Sequence, residues 1–348
     1  IAKKELAKFD GFFCWGKYDF LHLKQMFPFF KNKFFLTGSN RVEAWKNANH
    51  EFIDYQKDKK KIAIFTNFAL SNNKHGKKKY FNLKKKAGYY RRCPQLLSKD
   101  RLFLNYQIKN IKKFINLVNF LPDKYPNYNF FLKPHPVENK EFWFKKLIKK
   151  NNLKIVEPES SSSLIKFCDL VIQPRCTTSI ESSVNYINHI NYIPVKATHG
   201  FGNFVDKFSN NAKNINQVTK LIKSFIELKK NDYKKTQILN SRVLFKDSEP
   251  SSKKMALVLK KISKDIKQSK FENKLHLKTN LLINEMYNQI KTIIYNIFFE
   301  HKNINKYKFP YFDKKLIENK MSRLSSIYKI KKIHKVKKLG NRFWLFEN

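Results

Sequence analysis

The sequence has few acidic residues and little glycine. Its 348 residues hold 27 Asp and Glu against 72 Lys and Arg, a formal charge of +45, and 8 Gly. A clustered cationic surface would indicate nucleic-acid binding, because cations release counterions from phosphate backbones. Here the excess is mostly lysine and runs along the whole chain, together with much Asn, Ile, Phe and Tyr. We therefore interpret the charge as background composition, which still attracts anionic substrates and acidic membrane surfaces.

Metal-ligand spacings and long apolar runs are also missing. The four cysteines form no CxxC pair, and no Cys/His run has zinc spacing. Cys14 and Cys168 lie in apolar runs, which is typical of buried free thiols in a reducing compartment. No apolar run reaches the length of about 18 residues that a membrane span needs, and no signal peptide is recognisable. We predict a cytoplasmic protein that needs no metal and no other cofactor. Because the first residue is Ile1, we also expect a missing N-terminal portion.

Short apolar runs alternate with helical patterns between residues 61 and 230. The runs at 128–132 and 169–172 are rich in Phe, Leu, Ile and Val, as buried parallel strands are. Between 108 and 118 the apolar residues recur every three or four positions, which predicts an amphipathic helix that ends before Pro122. The alternation predicts an α/β fold with a Rossmann-like, doubly wound parallel sheet.

We divide the chain into four parts. Residues 1–45 contain two short apolar strands that look like the end of an α/β domain, and 46–60 form a polar linker. Residues 61–230 form the Rossmann-like domain, in which the Lys-rich stretch 71–100 is interpreted as a long loop. Residues 231–348 form a basic and aromatic C-terminal extension, helical in pattern, most clearly at 281–299.

A histidine follows the predicted strand 128–132 directly. In Lys133-Pro134-His135-Pro136 the two prolines fix φ and favour an extended backbone before them. The imidazole of His135 is therefore held on a stiff loop, where it could donate a hydrogen bond to a phosphate oxygen. The alternative is a histidine that merely caps the loop.

A helix is predicted to begin at Thr177 or Thr178, shortly after the strand 169–172. Free N–H groups at a helix start, with the hydroxyls of Thr177, Thr178 and Ser179, suit a phosphate. Plain N-capping by these residues is the alternative. Glu181 either completes a capping box or accepts hydrogen bonds from ribose hydroxyls.

Further polar residues follow the predicted strand ends. Lys133 and Arg175 could make charge-assisted contacts, and Thr66 with Asn67 ends the strand that begins at residue 61. Because ligands of open α/β sheets bind beyond the carboxyl ends of the strands, we expect all these residues around one cleft. The cleft would suit a phosphate-bearing ligand.

Five short motifs occur in an order that resembles bacterial surface carbohydrate biosynthesis proteins. They look like GT-B type glycosyltransferases with a His-Pro and a Ser/Thr motif, a set that includes polysialyltransferases, capsular Kdo transferases and teichoic acid glycerophosphotransferases. The motifs are Cys14-Trp15-Gly16, Leu36-Thr37-Gly38-Ser39-Asn40-Arg41, Phe65-Thr66-Asn67-Phe68, Lys133-Pro134-His135-Pro136-Val137-Glu138 and Thr177-Thr178-Ser179-Ile180-Glu181.

The resemblance implies a GT-B-like architecture with a nucleotide-sugar domain at 61–230 and a remnant of the acceptor-side domain at 1–45. It implies that His135 and Thr177 or Thr178 hold the phosphate of a CMP- or CDP-linked donor, without a metal. The implied function is metal-independent transfer of a sugar, CMP-linked in our prediction, in lipopolysaccharide or capsule synthesis. The implied partners are the donor, a glycan or lipid-linked acceptor and the anionic inner face of the cytoplasmic membrane, not nucleic acid. The catalytic base, unknown here, would come from the missing N-terminal region.

Three alternatives remain open. A nucleotide-sugar epimerase of the same fold would want further carboxylates and a Gly-rich helix start, which Cys176-Thr177-Thr178-Ser179 lacks. A basic membrane- or nucleic-acid-binding protein without catalysis would explain the charge. An inactive, truncated remnant is the third. The sequence also departs from the resembled family at Gln173-Pro174-Arg175, where that family has a His-containing strand end.

Overall fold

The chain forms two compact units, Ile1–Ile262 and Ser263–Asn348. The α/β class and the doubly wound parallel sheet are confirmed in the first unit. None of the helices in the described ranges is long and apolar enough to cross a membrane. The computed structural model describes residues 6–48, 59–157, 160–196, 203–227, 235–246, 249–265, 314–327, 335–338 and 344–347.

Strands and helices alternate along the first unit. The strands are β1 (Phe12–Cys14), β2 (Phe34–Leu36), β3 (Lys60–Phe65), β4 (Tyr128–Lys133), β5 (Leu153–Ile155), β6 (Leu170–Gln173), β7 (Asn188–Tyr192) and β8 (Asn210–Ala212). The helices are α1 (Lys17–Met26), α2 (Asn40–Lys46), α3 (Lys77–Lys86), α4 (Tyr89–Arg92), α5 (Gln95–Lys124), α6 (Lys140–Lys146), α7 (Ser161–Phe167), α8 (Thr178–Val184), α9 (Asn203–Phe208), α10 (Ile215–Ile222), α11 (Lys235–Arg242) and α12 (Ser251–Asp265).

Six parallel strands form the central sheet, in the order β5-β4-β3-β6-β7-β8. The chain runs outward from β3 through β4 to β5, returns to place β6 beside β3, and then runs outward through β7 to β8. This is the strand order of the Rossmann fold, and its direction reverses between β3 and β6. Ligands of such sheets bind at the carboxyl ends of the strands beside the reversal. The carboxyl ends of β3, β4 and β6 are therefore the positions where a ligand is expected.

Helices cover both faces of the sheet, which is why its central strands β3, β4 and β6 contain continuous apolar runs. Ile62 and Ile64 of β3 join the cluster formed with α5, α6 and α10, whereas Ala63 and Phe65 join the cluster formed with α7. The alternation follows from the two-residue period of a strand. On α5, Phe114 is fully buried against this sheet and packs edge-on against the ring of Phe68. The loop after β3 is thereby anchored in the core.

Two sequence-based predictions about this unit are wrong. The stretch 71–100 is not a long loop, because it contains α3, α4 and the start of α5. Lysine is a good helix former, and Gly76 and Gly88 stand immediately before α3 and α4. In addition, α5 continues through Pro122 to Lys124. Proline removes one helical hydrogen bond there, but Leu121 and Pro122 are both buried, and their packing offsets the loss.

Residues 6–48 pack onto the sheet domain through α2. β1 and β2 form a separate two-stranded parallel sheet. Val42 and Trp45 of α2 share one apolar cluster with Ile180 and Val184 of α8, and with Leu239 of α11. A side chain at Gly16 would overlap the backbone of α11, so glycine is required where α1 begins. The predicted domain boundaries at 45, 60 and 230 stay predictions.

The second unit contains a helix and a small sheet among its described residues. They are α13 (Lys314–Ile327) and the antiparallel strands β9 (Lys335–Lys338) and β10 (Trp344–Glu347). Three of the described helices, α11, α12 and α13, lie within 231–348, and helical character for the whole of that range stays a prediction. The antiparallel pair was not predicted. The predicted helix at 281–299 lies outside the described residues.

Truncating a core side chain just ahead of the candidate site should destabilise the first unit. Leu132 of β4 is fully buried between β3 and β5, so Leu132→Ala should lower the free energy of unfolding by about 2–5 kcal/mol. Leu257→Ala is the control, because Leu257 is 56% exposed on α12 and should cost within about 0.5 kcal/mol. Urea unfolding followed by circular dichroism measures both. Equal losses in the two variants would contradict the described core.

Candidate functional site

His135 lies on the loop that follows β4, and its ring orientation is fixed by the backbone. Its carbonyl accepts a hydrogen bond from Glu138 N at 2.8 Å, and its ring Nδ1 accepts one from Val137 N at 3.3 Å. An accepting Nδ1 leaves the proton of the neutral ring on Nε2. Burial lowers the pKa of His135, and the charge of Lys133 lowers it further. At neutral pH the ring is therefore neutral and presents Nε2–H as a donor.

A buried carboxylate ties the His135 loop to the loop after β3. Glu138 is 2% exposed, and its two oxygens accept hydrogen bonds from two backbone amides and three side chains. The donors are Thr66 Oγ1 (2.8 Å), Phe68 N (2.7 Å), Asn72 Nδ2 (3.4 Å), Trp143 Nε1 (2.9 Å) and His135 N (3.4 Å). The side chain of Glu138 thus links the loops after β3 and β4, two of the three strands at whose carboxyl ends a ligand is expected.

Opposing effects act on the pKa of Glu138. Burial raises its pKa, while the hydrogen bonds from Phe68, Trp143, Thr66 and Asn72 lower it. All five partners donate, and an ionised carboxylate only accepts, so the hydrogen-bond pattern matches the ionised group. Glu138 does not cap the helix that follows it, because Asn139 caps α6 by accepting from Glu141 N.

Thr66 and Asn67 lie at the carboxyl end of β3 but differ in availability. The hydroxyl of Thr66 donates its proton to Glu138, so it has no proton left for a ligand. Asn67 uses its carbonyl oxygen to accept from Gln107 Nε2 at 3.0 Å, whereas its side-chain amide makes no hydrogen bond within the described residues. Asn67 is half-buried, and its amide is the better placed of the two for a polar ligand group.

Buried amide side chains shape the turn after β6. Gln173 Oε1 accepts from Cys176 N at 2.6 Å, and Asn191 Oδ1 accepts from Arg175 N at 2.7 Å. These bonds hold Arg175 in a left-handed backbone conformation with φ of 47°, which is costly for a residue with a side chain. The turn directs the chain into α8.

The guanidinium of Arg175 is engaged by a carboxylate. Its Nε donates to Asp206 Oδ1 at 2.9 Å, and its Nη2 pairs with Asp206 Oδ2 at 2.6 Å. Asn191 Nδ2 donates to the same Asp206 at 2.8 Å. This bidentate pair gives Arg175 a structural role in the turn, and its contact with a phosphate stays a prediction.

The three hydroxyl residues at the start of α8 have different environments. Thr177 is exposed and occupies the N-cap position without a side-chain capping bond. Thr178 is buried and accepts a hydrogen bond from Cys176 Sγ at 3.1 Å, and Ser179 is fully buried against Gln173. Of the three, Thr177 is the residue with a side chain open to a ligand.

Glu181 is a second buried carboxylate, on the side of α8 that faces α7. It does not form a capping box, because Thr177 is the N-cap and Ile180, not Glu181, is the third helical residue. It accepts a hydrogen bond from Ser162 Oγ at 3.1 Å. Burial raises the pKa of Glu181, whereas Ser162, Arg41 and Lys133 act to lower it.

Lys133 interacts electrostatically with both the His135 loop and the start of α8. Burial lowers the pKa of Lys133, and the fields of Glu181, Glu157, Cys176 and Glu138 oppose that effect. Lys133 therefore lies within reach of charges on both the His135 loop and the start of α8. Burial also raises the pKa of the Cys176 thiol to about 11, so this thiol stays protonated at neutral pH.

The residues that hold the site in shape were not predicted from the sequence. Glu138, Asn191 and Asp206 were not assigned to it, although each is central to the hydrogen bonds described above. The polar Asn191 inside the strand 188–192 and the Glu three residues after His135 were the available signals. Within the described ranges, no three His, Cys, Asp or Glu side chains cluster so as to hold a metal ion.

No sequence-family model matches the chain, and no curated protein sequence matches it. Among solved structures it is similar to the wall teichoic acid polymerase TagF, in a variant soaked with CDPG, with a TM-score of 0.47 and 12% identity over 76% of this chain and 59% of that one. It is also similar to the UDP-GlcNAc 2-epimerase of Neisseria meningitidis bound to UDP-GlcNAc, with a TM-score of 0.44 and 13% identity over 74% of this chain and 62% of that one. The chain thus spans about three fifths of these structures. Likeness at this level assigns neither an activity nor a ligand.

Replacing the buried carboxylate by its amide should loosen the site. In Glu138→Gln the new NH₂ group would face at least two donors, whichever way the amide turns, so the free energy of unfolding should fall by about 2–4 kcal/mol. Glu141→Gln, on the exposed side of the same helix, is the matched control and should stay within about 0.5 kcal/mol of the unmodified protein. Urea unfolding compares the two. A Glu138→Gln variant as stable as the control would show that the carboxylate does not hold the loops.

Proposed function

We propose that the chain is the donor-binding part of a metal-independent, GT-B-like glycosyltransferase of surface polysaccharide synthesis, using a CMP-linked sugar. The observation that supports this most strongly is the rigid, neutral imidazole of His135 at the carboxyl edge of a Rossmann-type sheet. It stands one strand from the reversal between β3 and β6, where ligands of this architecture bind. A neutral ring with Nε2–H suits an anionic phosphate oxygen without the cost of burying a free cation.

The chemistry follows from the charge that develops on the donor. When the bond between the sugar and the nucleotide phosphate breaks, negative charge accumulates on the phosphate oxygens. The Nε2–H donor of His135, the ammonium of Lys133 and the hydroxyl of Thr177 would stabilise that charge on the leaving group. These donors are held before the reaction begins, so little reorganisation is needed as the bond breaks.

The nucleoside would be held by neutral and acidic side chains near the carboxyl ends of the same strands. Glu181 accepts one hydrogen bond from described residues, which leaves acceptor capacity for ribose hydroxyls. The side-chain amide of Asn67 offers both a donor and an acceptor. Arg175 and Ser179, which are engaged inside the protein, would support the turn that presents Thr177.

A catalytic base for the acceptor hydroxyl is not assigned. Asp19 is paired with Arg242 at 3.1 Å, and Glu43 accepts from Ser252 N at 2.7 Å, so these two of the carboxylates near the first sheet are engaged. The base would come from a part of the enzyme beyond these elements. The acceptor would be a glycan or a lipid-linked glycan, and the reaction would take place in the cytoplasm at the inner face of the membrane.

Calorimetric titration of the full chain with CMP, CDP, UDP and a CMP-linked sugar tests the proposal. We expect the cytidine compounds to bind, and His135→Ala to weaken binding about 10- to 100-fold, because a hydrogen bond to a charged group contributes about 1.5–3 kcal/mol. His22→Ala is the control, since His22 is exposed on α1 and stacks on Tyr18. Failure of every nucleotide to bind, or equal binding by both variants, would refute the donor site.

Incubation of the protein with a nucleotide-sugar, without an acceptor, distinguishes transfer from the epimerase alternative. An epimerase would convert a nucleotide-sugar to its epimer without an acceptor, and the product ratio would be visible by chromatography. The crowding of donors around Glu138 leaves it unsuited to moving a proton, so Glu181 is the buried carboxylate that an epimerase would have to use. Epimer formation abolished by Glu181→Gln would replace the transferase proposal.

A further inference from the structure

The described residues between 77 and 106, here called the basic arm, form helices in which every side chain is half-buried or exposed. The arm comprises α3, α4 and the first turns of α5, and the first buried residue of α5 is Gln107. A helix without a packed face normally gains little stability in water, because most helical stability in proteins comes from burying an apolar face. The arm is therefore only partly packed, and a partner surface would add to the burial of its side chains.

The composition of the arm is strongly asymmetric. It holds ten Lys and Arg but a single acidic residue, Asp100, and Asp100 is already paired with Lys84 at 2.7 Å and bonded to Tyr90 Oη at 2.9 Å. Eleven Leu, Phe and Tyr are interleaved with these charges, of which nine are half-buried and two are exposed. Tyr89 is 51% exposed and Leu102 is 42% exposed.

We propose that the basic arm docks on an anionic membrane surface. Lysines with long aliphatic stems and tyrosines at the water boundary suit the headgroup layer, where each basic residue is attracted to acidic lipids. The exposed Leu102 gains by entering the acyl boundary, whereas it gains nothing from a nucleic-acid phosphate. A second copy of the arm is disfavoured as the partner, because the two like-charged surfaces repel each other.

The arm adjoins the proposed donor site through the backbone. Lys74 N donates to Val137 O at 2.9 Å, and Asn73 forms an antiparallel bridge with Glu138. α3 begins three residues after Lys74, so the arm starts at the loop that carries His135. Docking of the arm would hold the His135 loop near the lipid surface. The inference does not depend on the identity of the donor.

Vesicle flotation of the full chain tests the inference. We expect binding to phosphatidylcholine vesicles in which about a third of the lipid is anionic phosphatidylglycerol, and little binding to phosphatidylcholine alone. The triple variant Lys77→Gln, Lys78→Gln, Lys85→Gln should lower the partition coefficient on the order of 100-fold. The control Lys112→Gln, Lys113→Gln, Lys145→Gln removes the same charge from exposed positions outside the arm and should change it only a few-fold.

A second variant separates membrane insertion from attraction of any polyanion. Tyr89→Ser with Leu102→Ser keeps every charge and should lower vesicle binding several-fold, with no effect on binding to duplex DNA. Equal losses in the two triple variants would overturn the proposal in favour of a net-charge effect. Unchanged vesicle binding in the Ser variant would overturn it in favour of a polyanion site. Thermal shift with a CMP-linked sugar should be the same in all arm variants, so a missing donor site and a missing membrane site are distinguishable.

Discussion

The candidate site depends on the burial of one carboxylate between two loops. Glu138 gathers donors from the end of β3, from the loop beyond it, from α6 and from the backbone of His135 itself. A buried carboxylate is costly unless its acceptor positions are filled, so the loops gain by folding around it. This arrangement makes the position of the imidazole a consequence of the packing of the domain, rather than of the two prolines alone.

The same low-polarity surroundings set the protonation states of the neighbouring groups. Burial lowers the pKa of His135 and of Lys133, and it raises the pKa of Glu181 and of Cys176. Each of these shifts disfavours the charged form of the group concerned. An anionic phosphate would reverse the balance for His135 and Lys133, since it favours their protonated forms. A site of this kind couples ligand binding to proton uptake, which a solvated cluster of lysines would not do.

Part of this could be predicted from the sequence, for physical reasons that differ between elements. The sheet was predictable because strands buried on both faces, such as 62–65 and 170–172, are continuously apolar. The start of α8 was predicted at Thr177 or Thr178 from its run of hydroxyl residues, and the helix begins at Thr178. The helices at 77–92 were missed because a Lys-rich stretch with glycines has no apolar period. The roles of Glu138 and Asp206 were missed because they depend on partners 72 and 31 residues away, which local patterns do not encode.

The most direct test of the central claim is the ring of His135 observed by long-range ¹H–¹⁵N NMR of the full-length protein, with His135→Gln for assignment. In the free protein we expect the neutral Nε2–H tautomer and a pKa below the ordinary value for histidine, because burial and Lys133 both disfavour the imidazolium. A CMP-linked sugar should shift the Nε2 resonance and raise that pKa, so that affinity increases as the pH falls through it. An Nδ1–H tautomer, or a ring whose resonances do not respond to any nucleotide, would contradict the claim that His135 holds the phosphate.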